Sequence, residues 1–497
     1  MPNVLPVKNK LPALLKYFIL CIPVVFACFQ VHGLDNDFYF LFLTGEYIVN
    51  NGFPHTDMLS MHSSMKIIVQ QWLSTVIFYF TYSRLGKIGV IALIYICYAA
   101  ICVLSYRLTR LITGNELLSA VSSGISSIVL YYFFIYSRPQ VFTYIVLLSA
   151  VILLEKHAQT KKKAYLAAIP VLSLALINLH AAMWPLLLIM MLPYIAASIP
   201  VHIKSFRIDA CGDKLPLFLS FALSVAAGYI NPYGTDNMLY LATAFKQKTI
   251  TSMIVEMKPL SWGVVTGIEV LFVIFFLMAV ITLFVKKRAV SVRFFLMFFG
   301  TVLIGMIHVK GLAYFLLLGI PAFAYMIKDL EIKLPDTGKE NKGKYTLAVI
   351  ITILVLIPVC TFLCIKNNKY EKSSTEYRRN LDGAVELLGK NDGDIILFAN
   401  FNDGQYLEFK GYHPYIDGRA ELYLAINNNE FNYIDEYYSI VTASQYYRTF
   451  IDKYEFNYLI VNRNANKYLY VSLINDEDFE HVYESGDVNL FIRKAKV

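Results

Sequence analysis

Charge is scarce in this 497-residue chain: Asp, Glu, Lys and Arg together make up 16% of it, against 57% hydrophobic residues. With a mean hydropathy of +0.52, that scarcity excludes a soluble globular class and points to a polytopic membrane protein. Cysteine is equally sparse. Cys21, Cys28, Cys97, Cys102, Cys360 and Cys364 lie in hydrophobic runs, Cys211 lies in a polar loop, and none follows residue 364. The close pairs read as small helix residues rather than metal or disulfide pairs. The sequence also lacks a phosphate-cradling glycine loop, a Gly-x-Ser-x-Gly elbow, zinc-ligand spacing, a nucleic-acid module and internal repeats.

The charge that exists is divided. Residues 1–365 hold roughly 29 Lys/Arg against 15 Asp/Glu, and residues 366–497 roughly 15 against 21. The expected domains are a basic membrane part, 1–365, and an acidic, tyrosine-rich soluble α/β domain, 366–497. Apolar runs near 14–31, 88–106, 116–136, 139–155, 164–180, 182–200, 215–230, 266–285, 292–308, 311–327 and 345–365 are near the length of a bilayer-spanning helix. Lys8, Lys10 and Lys16 around the start of the first run look like a signal sequence. Without a small-x-small site before Asp35, we read it as an uncleaved first helix.

Segment 70–83 decides the topology. If it lies flat on the surface, eleven spans put Arg107/Arg110, Lys156 to Lys163, Lys204/Arg207, Lys286 to Arg288 and Lys328 to Lys344 on the cytoplasmic side with the N-terminus, as the positive-inside rule requires. The turns facing outward are then 32–87, the short turns near 137–138, 178–182 and 308–311, the loop 231–265, and the tail. They carry Asp35, Asp37, Gln71 and Trp72; Arg138; His180; Glu256; and His308 and Lys310.

A carboxylate pair beside cations at a membrane face suits transfer from an anionic, lipid-linked donor. One Asp takes a proton from the acceptor, and Arg138, Lys310, His180 or His308 neutralise a departing phosphate. Each residue also has a plainer use. Asp35 and Asp37 suit a helix cap near Phe38, Arg138-Pro139 a helix start and Lys310 an interfacial anchor. His180 and His308 suit hydrogen bonding at helix ends, and Glu256 suits simple solvation. The case for a site rests on co-location. In the tail, 394–398, 458–461 and 489–492 read as strands, 485–487 as a hairpin turn, and 376–389 and 433–453 as helical. Tyr406 to Tyr423 reads as strand and core rather than a sugar-stacking platform.

The loop with Asp35-Asn36-Asp37-Phe38-Tyr39-Phe40, Thr44-Gly45-Glu46-Tyr47-Ile48, Asn51 to Asp57 and Gln71-Trp72 resembles the first external loop of GT-C-type membrane glycosyltransferases. The resemblance is to the bacterial set related to protein mannosyltransferases and to the lipid-A aminoarabinose and galacturonic acid transferases. It extends to Arg138-Pro139-Gln140, Asn178-Leu179-His180, Asn231 to Gly234, Gly404 to Leu407 and Ile416 to Tyr423. It implies a GT-C-like α-helical membrane fold of about eleven spans with an extracytoplasmic α/β tail, in a bacterial cytoplasmic membrane. It also implies an inverting transfer from a polyprenyl-phosphate-linked sugar to a lipid, glycan or protein acceptor, with no nucleic-acid partner.

Asp37, nearer the surface helix, is the expected base, with Asp35 the other candidate. Gln71, Trp72, Arg138, His180, Glu256, His308 and Lys310 are candidate donor contacts. Asp417, Arg419 and Glu421 are the tail candidates, with an internal Asp–Arg ion pair as the plainer reading. The residues name no cofactor with certainty, and a divalent metal on Asp35 and Asp37 is left open. The chain departs from the family pattern at Gln70-Gln71, where His-Glu is expected, and at Ala181, where Gly is expected. It also has His308 and Lys310 in place of an arginine. A lipid-linked glycan polymerase or ligase, and a non-catalytic scaffold or transporter, are the alternatives. The one-sided gathering of polar residues speaks against transport.

Overall fold

The computed structural model describes residues 13–28, 30, 33–198, 206–207, 214–244, 250, 254–261, 268–285, 290–328, 342–388 and 394–494. The chain forms two compact units. One comprises Met1–Gln30, Ala92–Ile230 and Ile254–Asn367; the other comprises Val31–Ile91, Asn231–Met253 and Asn368–Val497.

The first unit is helical. Each of the eleven apolar runs carries a helix, from Ala13–Cys28 to Lys342–Val385. Trp72–Thr113, Glu116–Phe134, Gln140–Thr160 and Val309–Ile327 are long and apolar enough to cross a bilayer; Ala164–Leu179, Ala181–Ala197, Lys214–Ala227, Phe272–Thr282 and Val292–Ile307 are shorter apolar helices. Ile22, Ala120, Ile128 and Cys360 form one buried contact, in which Cys360 has the small-residue role expected of it. Gly311 is obligatory in the turn before Leu312, because a Cβ there would lie 2.3 Å from the Ile304 carbonyl oxygen. A single π-turn, Phe315–Gly319, follows it.

One buried charged pair escaped the sequence reading. Arg293 Nη2 donates to Glu155 Oε1 at 2.8 Å, and the Tyr194 hydroxyl donates to the other carboxylate oxygen at 3.2 Å. The partners lie 138 residues apart, so spacing gave no sign of them.

The helix Trp72–Thr113 is broken at Gly86, where φ is 61° and ψ −161°, a conformation that a side chain forbids. The break falls between the two segments that hydropathy had separated, 70–83 and 88–106.

The second unit is α/β. Its sheet has strands β1 (Leu397–Ala399), β2 (Tyr458–Asn462), β3 (Phe479–Ser485) and β4 (Val488–Arg493) in the order β1-β2-β4-β3. β1 and β2 are parallel, and the other pairs are antiparallel. The three expected strands are present. β3 was missed because Glu480, His481 and Glu484 break its apolar pattern, as charges do on an edge strand. Gly486, at φ 57°, turns the β3–β4 hairpin. The helical stretch expected over 433–453 is two helices, Tyr433–Val441 and Tyr447–Tyr454, with Ala443 left-handed between them. Tyr415 and Tyr423 are fully buried, which makes the tyrosine-rich stretch part of the core, although it folds as a helix, Gly404–Phe409, and turns rather than as the strand expected.

Helix Asn36–Asn51 is fixed from both sides. Its Tyr39 packs edge-on against Tyr406, and Arg378 lies 5.5 Å from the Tyr39 ring centroid. On the other side Gly45 allows close approach to the Trp72 helix: a Cβ would sit 2.2 Å from the Thr75 carbonyl oxygen. Gly45→Ala must therefore push the helices apart. A loss of about 1–3 kcal/mol is expected, measured as a lowered melting temperature of the detergent-purified protein.

Candidate functional site

Asp35 and Asp37 have different positions at the head of helix Asn36–Asn51. Asp35 is the N-cap, and its side chain accepts from the Asp37 backbone N–H at 3.3 Å. The capping reading therefore holds for Asp35. Asp37 stands in the first turn, where the helix dipole favours a negative charge. Arg378 holds the approach to this turn, donating to the Leu34 carbonyl at 2.5 Å and to Asn36 Oδ1 at 3.1 Å.

The neighbour of Asp37 is the turn Asp417-Gly418-Arg419. A Cβ on Gly418 would lie 3.3 Å from Asp37 Oδ1 and 2.9 Å from Gln405 Nε2. Gln405 also fixes this turn, because its Oε1 accepts the Gly418 N–H at 3.0 Å. The helix carrying Gln405, Gly404–Phe409, reaches the turn only because its first residue is glycine: a Cβ on Gly404 would be 2.1 Å from the Ile416 carbonyl oxygen.

Arg419 and Asp417 are buried beside this turn. Arg419 Nε donates to both Asp417 oxygens at 3.0 Å, and Nη1 donates to Asp57 Oδ1 at 2.5 Å. Nη2 reaches Glu408 Oε1 at 3.4 Å, and the Tyr423 hydroxyl donates to Asp417. Asp57 also accepts from the Ser60 N–H and hydroxyl, at 2.9 and 2.6 Å. The internal ion pair expected of Asp417 and Arg419 is thus present, and it is enlarged by Asp57 and Glu408. Glu421 is half-buried; its backbone carbonyl accepts from Asn427 Nδ2 at 2.7 Å, and its charge acts on Tyr240.

Gln71 and Trp72 begin the Trp72 helix. Trp72 packs edge-on against Phe53 at 5.2 Å, and Phe53 packs against Tyr233, whose hydroxyl donates to the Pro54 carbonyl. Trp72 thus joins an aromatic clasp on the loop, while Gln71, in the turn before it, has its Oε1 buried with no hydrogen-bond partner among the described residues. Asn231 makes the turn read from its sequence, accepting the Tyr233 N–H at 2.9 Å.

Arg138, His180, Glu256 and Lys310, four residues from four separate turns, line one cleft with Tyr136, Tyr144 and Tyr314. All belong to the helical unit. Arg138 Nη1 lies 3.4 Å from both Glu256 oxygens, and its guanidinium stands 5.4 Å from the Tyr136 ring centroid. His180 is buried, with Nδ1 2.8 Å from the Thr143 hydroxyl. His308 takes a supporting role: its Nδ1 lies 2.8 Å from the Met257 carbonyl, while Val309 N–H donates to Lys258 O and Leu260 N–H to Met306 O. These bonds strap segment 254–260 to the 308–311 turn and set Glu256 at the cleft. Sequence reasoning missed Tyr144, Tyr314, Gln405 and Glu408, whose residue types carry no signal outside the fold.

Among the described residues, no group of three or more His, Cys, Asp or Glu side chains is arranged to hold a metal ion.

Burial, and then the adjacent Asp417, push Glu408 well above the ordinary carboxylate range. Burial also raises Asp417, but the Arg419 charge and the hydrogen bonds it receives outweigh that and hold it low. Glu408 is therefore the member that keeps a proton. Its folded value lies above its unfolded one, so its stabilisation is complete below the ordinary glutamate range and is lost as pH rises through the folded value. Glu408→Gln mimics the protonated form. The variant should melt above the wild type at pH 8, by about 1.4 kcal/mol per pH unit of the raised interval, and the gap should close toward pH 5. Differential scanning fluorimetry across that range checks it.

No family model matches the chain, and no curated protein matches it. Solved structures do. The Archaeoglobus fulgidus oligosaccharyltransferase, tethered to an acceptor peptide, superposes with a TM-score of 0.59 at 11% identity, over 90% of this chain and 69% of its own. The oligosaccharyltransferase AglB of that organism, with an inhibitory peptide and a dolichol-phosphate, gives 0.58 at 11% identity, over 91% and 70%. The apo enzyme gives 0.52 at 10%, over 90% and 69%. At such identities the likeness speaks for the fold, and the fold is the GT-C type expected from the loop motifs.

Proposed function

We propose that this chain is a GT-C-type glycosyltransferase that moves a sugar from a polyprenyl-phosphate-linked donor to an acceptor at the outer face of a bacterial cytoplasmic membrane. The observation that carries the reading is the cleft that gathers Arg138, Lys310, His180 and Glu256 beneath aromatic walls. Two cations against one carboxylate leave it with a net positive charge, suited to a lipid phosphate. The dolichol-phosphate held by the oligosaccharyltransferase of like fold is a ligand of the same class.

In this reading the eleven helices span the bilayer, with the N-terminus cytoplasmic and the tail outside. Asp37 acts as the base and Asp35 holds the helix that carries it. The cationic cleft stabilises the phosphate as the sugar carbon is inverted.

Asp37→Asn should lower sugar transfer at least 100-fold in vesicles supplied with a panel of polyprenyl-phosphate sugars, while melting like the wild type. Asp35→Ser, which keeps a cap, should stay within a few-fold of it. Full transfer by the Asp37 variant overturns the assignment. A reporter fused after Lys366 should be external; a cytoplasmic signal overturns the topology.

A further inference from the structure

Thr143 uses its hydroxyl differently from Thr109, Thr113, Thr282 and Thr301. Each of those donates to the backbone carbonyl four residues back in its helix, at 2.7–2.9 Å. Thr143 is fully buried, and its side chain makes one hydrogen bond among the described residues, across to His180 Nδ1 at 2.8 Å. A hydroxyl proton shut away from water has to be donated, and Nδ1 is the acceptor it meets. Nδ1 therefore carries a lone pair, and the ring proton sits on Nε2. The backbone of His180 is fixed in the turn between two helices: its N–H donates to the Leu176 carbonyl at 2.7 Å, and its carbonyl accepts the Met183 N–H at 3.0 Å. With Nδ1 turned to Thr143, Nε2 is the nitrogen left for the cleft that His180 lines with Arg138, Glu256 and Lys310. Burial, and then the Lys310 charge, push the ring's pKa down to about 3, so the imidazole is neutral.

We infer that Thr143 is a positioning residue of the phosphate site, holding His180 in the one tautomer that offers an N–H to a phosphate oxygen. This rests on the reading of the cleft as the seat of a lipid phosphate. An unprotonated phosphate oxygen only accepts, so a ring nitrogen that faces it must carry a proton. The opposite tautomer would set a lone pair against the oxygen and also leave the Thr143 proton unpaired. Arg138 and Lys310 supply charge, and the neutral ring adds a directed hydrogen bond without a third cation beside Lys310. Charge neutralisation by His180, expected from the sequence, thus gives way to donation from an uncharged ring. In the transfer, the acceptor oxygen bonds to the sugar carbon as the bond from that carbon to the phosphate oxygen breaks. The bonding pair stays with the phosphate, whose charge rises from one negative to two, and the acceptor's proton goes to the base. The Nε2–H hydrogen bond strengthens with that charge, so its contribution grows toward the transition state. Serine at position 143 keeps the hydroxyl that this requires; valine keeps only the shape.

The test uses the full chain in nanodiscs, labelled with 15N-histidine, and undecaprenyl phosphate as the probe. The His180 signals are those absent from His180→Gln. Before lipid is added, the wild-type ring should be protonated on Nε2 and bare on Nδ1. Thr143→Ser should keep this pattern, and Thr143→Val should lose the single tautomer. On titration the Nε2–H signal should move in the wild type and in Thr143→Ser, and Thr143→Val should bind the lipid about tenfold more weakly. A wild-type ring protonated on Nδ1 overturns the inference, and that measurement needs no Thr143 variant to fold. Wild-type affinity in a folded Thr143→Val protein also overturns it, while the phosphate reading of the cleft stands. No binding of undecaprenyl phosphate by the wild type, with Nε2 protonated, overturns the phosphate reading and the role of Thr143 at the phosphate with it.

Discussion

Arg419 among its three carboxylates is the interaction on which the α/β unit depends. A guanidinium with 8% exposure meets Asp57, 362 residues away in sequence, together with Asp417 and Glu408. Its bonds join the first loop to the tail turn, and the same turn presents Gly418 to Asp37. Removing one partner from a buried pair costs about 3–5 kcal/mol, because the remaining charge is left without compensation. The arrangement therefore favours one geometry over any slipped alternative. The excess negative charge is tolerable because one carboxyl, that of Glu408, keeps its proton.

The two aspartates that drew attention in the sequence have different physical circumstances. Asp35 takes the cap, leaving Asp37 in the first turn of a helix held by Arg378, Tyr406 and the close crossing at Gly45. Such rigidity is what the base proposed for Asp37 requires. In the helical unit, the cationic cleft is assembled by the short turns between helices, each of which contributes one side chain.

Hydropathy located a helix in each of the eleven apolar runs, because a continuous apolar run announces itself directly in the sequence. The strands with continuous apolar runs, such as Tyr458 to Val461, were equally plain, whereas β3, an edge with alternating charge, was not. Of the site, the residues with unusual chemistry for their position were legible: Asp37, Arg138, Lys310 and Arg419. Gln405 and Glu408 were not, since a glutamine or glutamate in a tyrosine-rich helix looks like surface until the fold buries it. Gly418 belonged to a recognisable motif, but its use lies in what it omits. The Arg293–Glu155 pair was hidden for another reason: it joins the ends of two helices far apart in sequence.

The break at Gly86 has a consequence in length. Forty-two residues in unbroken helix make a rod of roughly 63 Å, about twice the hydrocarbon thickness of a bilayer. No single crossing can use such a rod, and its surplus would carry an apolar surface into water. One residue without a side chain converts it into two members of serviceable size. The chain thereby obtains two helices from one uninterrupted sequence without the polar loop that usually divides them.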